Sequence, residues 1–123
     1  MPHDIDWVLD EMCNGAINDL KIVECNPILM KYGEKWKKYI KSGTWSIHPD
    51  PFWTYPFDYS TMAQHDQQLY SILSEASLLI FKGDLNYRKL VGDLKWKPTD
   101  TFKDALQGFH PAPLVTLRTL VMD

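Results

Sequence analysis

A continuous apolar run, Leu78-Leu79-Ile80-Phe81, halts abruptly at Lys82-Gly83-Asp84, and no other feature narrows the available folds so far. A run without alternation is the pattern of a strand covered on both faces, as strands of parallel sheets are. A helix precedes it, marked by Leu69, Ile72, Leu73 and Ala76, and Leu85 to Val91 reads as helix after it. Thr101 to Gln107 adds a short helix, and Leu114 to Leu120, rich in leucine and β-branched residues, is the candidate for a last strand. Helix, strand, helix, strand predicts an α/β layered fold with parallel strands covered by helices. Two strands make too small a sheet to shield their own faces and edges, so the segment reads as part of a larger doubly wound domain.

Upstream, Ile5, Val8, Leu9 and Met12 recur at helical spacing behind an acidic first turn of Asp4 and Asp6, and Asn14-Gly15 supplies a stop. Leu20 to Val23 is a candidate for a brief strand, broken by Asn26-Pro27. Leu29, Tyr32, Trp36, Tyr39 and Ile40 mark an amphipathic second helix ending near Ser42-Gly43, with Lys35, Lys37, Lys38 and Lys41 as its solvated face. Thr44 to Tyr59 holds Trp45, Phe52, Trp53, Tyr55, Phe57 and the prolines 49, 51 and 56, the composition of an ordered loop whose rings pack on the core. At 123 residues one core is expected, and no linker divides the chain.

A composition with 45% hydrophobic and 24% charged residues is that of a globular domain. The formal charge of −3 and pI near 5.7 remove any general electrostatic attraction to nucleic acid or to an anionic membrane, so phosphate binding has to be local. No apolar stretch approaches the roughly eighteen residues of a membrane span, and Met1-Pro2-His3-Asp4 opens no secretory signal. Cys13 and Cys25 lack any metal or redox spacing and read as reduced thiols, which with the preceding points predicts a soluble cytoplasmic protein.

In open α/β sheets ligands collect at the carboxyl ends of strands. Phe81-Lys82-Gly83-Asp84-Leu85-Asn86-Tyr87-Arg88-Lys89-Leu90 fits that position: Gly83 allows close approach of the backbone, Asp84 or Asn86 caps the next helix, and Lys82, Arg88 and Lys89 are cations for a phosphate. The bland alternative makes Asp84 an N-cap, Asn86 a turn residue and the basic groups a solvated surface.

The same string, Phe81 to Leu90, followed by Gly92-Asp93 and Trp96, resembles the signature of the damage-control phosphatase (acidic-residue methyltransferase) family. Gln107-Gly108-Phe109-His110-Pro111-Ala112-Pro113 and Arg118-Thr119-Leu120-Val121 resemble two further motifs of that family. Trp36 with Tyr39-Ile40, Gly43 with Trp45, and Phe52-Trp53-Thr54 fall in the family's order, so the resemblance spans nearly the whole chain. It implies the C-terminal portion of a three-layer fold, a mainly parallel sheet covered by helices. It also implies a phosphatase that uses Mn²⁺, Ni²⁺ or Mg²⁺ to hydrolyse sugar phosphates such as fructose 1-phosphate and fructose 6-phosphate; a methyltransferase activity on protein carboxylates has been claimed for the family as well. Carried over, Asp84, Leu85, Asn86, Tyr87 and Arg88 contact substrate. Asp84 is then the catalytic carboxylate, orienting either a sugar hydroxyl or the attacking nucleophile, and Arg88 clamps by paired donors.

The chain departs from the family in two ways. The resemblance places the family's metal ligands, an Asp-Asn pair and a further aspartate, before the region matched here, so no metal ligand is expected in this chain. Val121 stands where the phosphate-contacting lysine is expected. His3, Asp4 and Asp6, His48 with Asp50, His65 with Asp66, and His110 offer ligand types but no diagnostic spacing. His110 reads instead as a satisfied turn or core histidine. Two expectations follow: a substrate-binding part completed by a missing N-terminal portion, or a truncated, inactive relative serving as a binding or scaffold module, for example as a homo-oligomer pairing through its sheet edges.

Overall fold

A computed structural model describes residues 2–13 and 26–119. The chain forms two compact units, Met1–Pro49 and Asp50–Asp123.

In the first unit, α1 (Pro2–Cys13) and α2 (Pro27–Lys41) pack together, with Leu9 and Met12 buried. The break read at Asn26-Pro27 is the start of α2: the Asn26 side chain accepts from the N–H groups of Ile28 and Leu29, and Pro27 needs no donor where none would be satisfied. Such a cap is worth about 1 kcal/mol. Lys35, Lys37, Lys38 and Lys41 are all exposed and the half-buried Trp36, Tyr39 and Ile40 form the opposite side, as the spacing requires. Trp45 closes that side, its ring centroid 5.9 Å from Trp36 and 5.1 Å from Tyr39. Lys37 pairs with Asp10 of α1. The candidate strand Leu20 to Val23 lies outside the described residues.

In the second unit, a 3₁₀ turn at Pro51–Thr54 leads through another at Tyr59–Thr61 into α3 (Met62–His65) and α4 (Gln67–Ser74). Then follow β1 (Leu79–Lys82), α5 (Asp84–Leu90), α6 (Phe102–Ala105) and β2 (Leu114–Leu117). The strands are parallel, with Leu79 opposite Leu114 and Lys82 opposite Leu117. The α/β class is as expected, and the core cluster of this unit gathers Phe52, Tyr59, Met62, Phe81, Leu90 and Phe109. Tyr59 stands at its centre, 5.4 Å from Phe81 and 5.7 Å from Phe109 between ring centroids.

Three local expectations are corrected. β1 is covered on one face: Leu79 and Phe81 are buried while Ile80 is 63% exposed, and Val115 and Leu117, on the same face by register, are exposed with it. The aromatic loop divides likewise; Phe52 and Tyr59 are fully buried, but Tyr55 and Phe57 are exposed and pack on each other, with Phe57 stacked on His65. Gly83, not Asp84 or Asn86, caps α5.

Candidate functional site

The site is built around the β1–α5 turn. The Gly83 N–H donates to the Leu117 carbonyl at 2.8 Å, carrying the parallel ladder one residue past β1, and the backbone then turns with φ 103°. That dihedral is costly for any side chain, which accounts for the glycine. Asp84 begins α5, and its Oδ1 lies 3.0 Å from Nη2 of Arg118, which follows the last residue of β2. The Arg118 guanidinium also sits over the Tyr87 ring, Cζ 4.5 Å from the centroid.

The remaining residues of the turn face elsewhere. The Asn86 amide is used at both ends: Nδ2 donates to the Lys82 carbonyl at 2.7 Å and Oδ1 accepts from the Tyr59 hydroxyl at 2.5 Å. Burial pushes the Tyr59 phenol up to about 12, so it remains a donor across the physiological range. Arg88 grips Asp93 through two nitrogens, Nε to Oδ1 at 2.9 Å and Nη2 to Oδ2 at 2.5 Å. That hydrogen bond and charge hold the Asp93 carboxyl below its ordinary value and raise the guanidinium, to which Asp84 adds a smaller push. Lys89 donates to the carbonyls of Trp53 and Tyr55 at 3.0 and 2.6 Å, fastening α5 to the aromatic loop.

Leu85, Arg88, Lys89 and Asp93, with Pro56, Asp58 and Gly92, line an open cavity of about 330 Å³. Gly92 admits this arrangement, since a Cβ there would fall 2.4 Å from Nε2 of Gln107. Asn86 instead borders a second, apolar hollow with Trp53, Leu73, Leu79, Ile80 and Phe81. The five residues singled out from the sequence thus divide into three settings: Asp84 and Tyr87 around Arg118, Leu85 and Arg88 on the mixed-charge cavity, and Asn86 in the hydrogen-bond net of the core. Arg88 lies near Asp84 but is committed to Asp93.

Four partners escaped sequence reasoning. Asp93 sits five residues from Arg88 and its pairing was within reach of local spacing; Tyr59 and the carbonyls held by Lys89 lie 27 to 36 residues away and left no signal. Of the other candidate ligands, Asp66 caps α4, His48 bonds Ser46 and Asp50 caps the Pro51–Thr54 turn. His110 is exposed, which excludes the core alternative of its reading as a turn or core histidine, and borders a cavity with Phe102, Lys103, Leu106 and Leu114. Among the described residues no three His, Cys, Asp or Glu side chains converge to hold a metal.

The model of the damage-control phosphatase ARMT1-like domain matches residues 1–123. The chain belongs to the damage-control phosphatase ARMT1-like family. It is 44% identical over 118 residues to damage-control phosphatase ARMT1 of Homo sapiens, a match that covers 96% of this chain and 25% of the human protein. The mouse protein of the same name is 43% identical over the same length and coverage. The zebrafish (Danio rerio) ARMT1 is 54% identical over 91 residues, covering 74% of this chain and 20% of that protein. The chain therefore spans about a quarter of the length of the curated relatives it matches. In this ARMT1-like segment the matched region includes the whole β1–α5 turn and the Arg118 that meets it.

Proposed function

We propose that this segment is the C-terminal, substrate-facing part of a metal-dependent phosphatase that hydrolyses sugar phosphates of the fructose 1-phosphate or fructose 6-phosphate type in the cytoplasm. The observation that carries the reading is the rigid β1–α5 turn, which holds the Asp84 carboxylate at the end of a parallel strand, in a chain whose relatives are named phosphatases. Phosphoryl transfer calls for positive charge on the nonbridging oxygens and for an oriented nucleophile or hydroxyl. Asp84 has the chemistry for the second task, Arg118 is paired with it, and Arg88 is near enough to feel its charge. The divalent metal that the family resemblance implies finds no ligand set among the described residues. Its ligands belong, in this reading, to a further polypeptide portion that joins this one.

A second reading has its own support. The double commitment of Arg88 to Asp93 and the engagement of the Asn86 amide at both ends suit a segment that serves as a binding or scaffold module rather than a catalyst. Val121, without charge or donor where the family resemblance expects a lysine, agrees with it.

The test is reconstitution. The chain is mixed with the N-terminal portion of an ARMT1 relative and Mn²⁺, and phosphate release from fructose 1-phosphate is followed. Release that Asp84→Ala abolishes supports the phosphatase reading; a folded mixture that releases nothing leaves the module.

A further inference from the structure

We propose that Arg118 is a positioning residue, which fixes the direction of the Asp84 carboxylate while the Tyr87 ring fixes Arg118. The role assigned to Asp84 rests on the phosphatase reading; the control of Asp84 by Arg118 does not.

The backbone brings the pair together. Gly83 and Leu117 are joined by the 2.8 Å hydrogen bond that ends the ladder, and Asp84 and Arg118 are the next residue of each segment. Their side chains leave two backbones already locked in register, so little conformational freedom is lost when they meet. Tyr87, three residues on from Asp84, lies on the same face of α5 and places its ring under the guanidinium. The ring holds the guanidinium from one side, and the carboxylate meets it through Nη2 at 3.0 Å.

The other nearby arginine cannot substitute. Arg88 uses two nitrogens on Asp93, so the charges around the turn are sorted into two pairs, Asp84 with Arg118 and Asp93 with Arg88. The Asp84 side chain is 49% exposed, which leaves its second oxygen open to a ligand and makes the attraction itself small in water. What the pair supplies is direction. A guanidinium with five donors in a rigid fork, resting over a ring, specifies where a carboxylate points better than a flexible ammonium does.

The experiment uses the 123-residue chain labelled with ¹³C and ¹⁵N, and three-bond couplings that report the χ1 rotamer of Asp84. The wild type is expected to show one rotamer. Arg118→Leu is expected to average the couplings while amide shifts of Phe81, Leu90 and Phe109 stay in place, Arg118→Lys to restore them in part, and Tyr87→Leu to average them to an intermediate degree. Averaged couplings in the wild type, or a fixed Asp84 in Arg118→Leu, overturn the proposal. In the phosphate-release assay, Arg118→Leu is expected to lower kcat about 10- to 100-fold with KM within about threefold, since misdirected groups cost turnover more than binding. If the wild-type mixture releases no phosphate while the coupling results stand, the phosphatase reading fails and the positioning of Asp84 by Arg118 survives.

Discussion

The Tyr59 hydroxyl donates to Asn86 Oδ1 across 2.5 Å, joining the centre of the aromatic core to the first turn of α5. With Nδ2 of the same amide on the Lys82 carbonyl, the bond connects the core, the end of β1 and the helix that carries Asp84. Removing the hydroxyl should loosen all three. Tyr59→Phe keeps the ring contacts and leaves the amide oxygen without its donor, for an expected loss of about 1–2 kcal/mol. Denaturant unfolding checks the size, and an unchanged midpoint would refute a structural role for the bond.

The same phenol predicts a limb at alkaline pH. Its folded value of about 12 lies above the ordinary value of 10, so between those limits the unfolded chain has given up a proton that the folded chain retains. The unfolded state then binds fewer protons, and stability falls as pH rises. It is fully present below about pH 10 and is lost progressively up to about 12. Melting temperatures across that window should decline more steeply in the wild type than in Tyr59→Phe.

Asp93 gives the opposite sign. Arg88 lowers its carboxyl, so its contribution is present above the unfolded carboxylate range, about 4, and is lost as pH falls through the lower folded value. Both groups are exposed, and added salt should weaken the effect. Asp93→Asn is the clean probe, because asparagine tolerates the positive φ of 53° at this position while the charge is removed. Its acid denaturation should be shallower than that of the wild type; superimposable acid limbs would dismiss the pairing in solution.

How much of this was legible follows from the range of each interaction. The α/β class, the parallel strand pair and the turn after β1 were readable, because an apolar run ending at Lys82-Gly83-Asp84 states both the strand and its stop. The exposure of Ile80 was not. Periodicity detects apolar side chains on both faces of β1, but whether anything covers the second face depends on other elements. The site residues were named together because they are contiguous, yet contiguity on a helix sends successive side chains in different directions. Asn86 therefore turns to the core while Asp84 and Tyr87 meet Arg118. The capping of α5 was misplaced because the need for a positive φ at Gly83 outweighed the side-chain preferences of Asp84 and Asn86.

That exposed strand face leads to the last prediction. Ile80, Val115 and Leu117 present apolar surface, bordered by Lys82 at the strand end, on one side of a parallel sheet that has two strands among the described residues, with Ile80 63% and Leu117 53% exposed. Contiguous apolar surface of this kind drives association, and a charge on a strand blocks it. Ile80→Lys should therefore leave the thermal melt of the dilute chain within about 0.5 kcal/mol of the wild type, as exposed substitutions generally do. It should also shift the chain towards monomer in size-exclusion chromatography at high concentration. A large drop in stability of the dilute variant would mean that this face is packed in the folded chain.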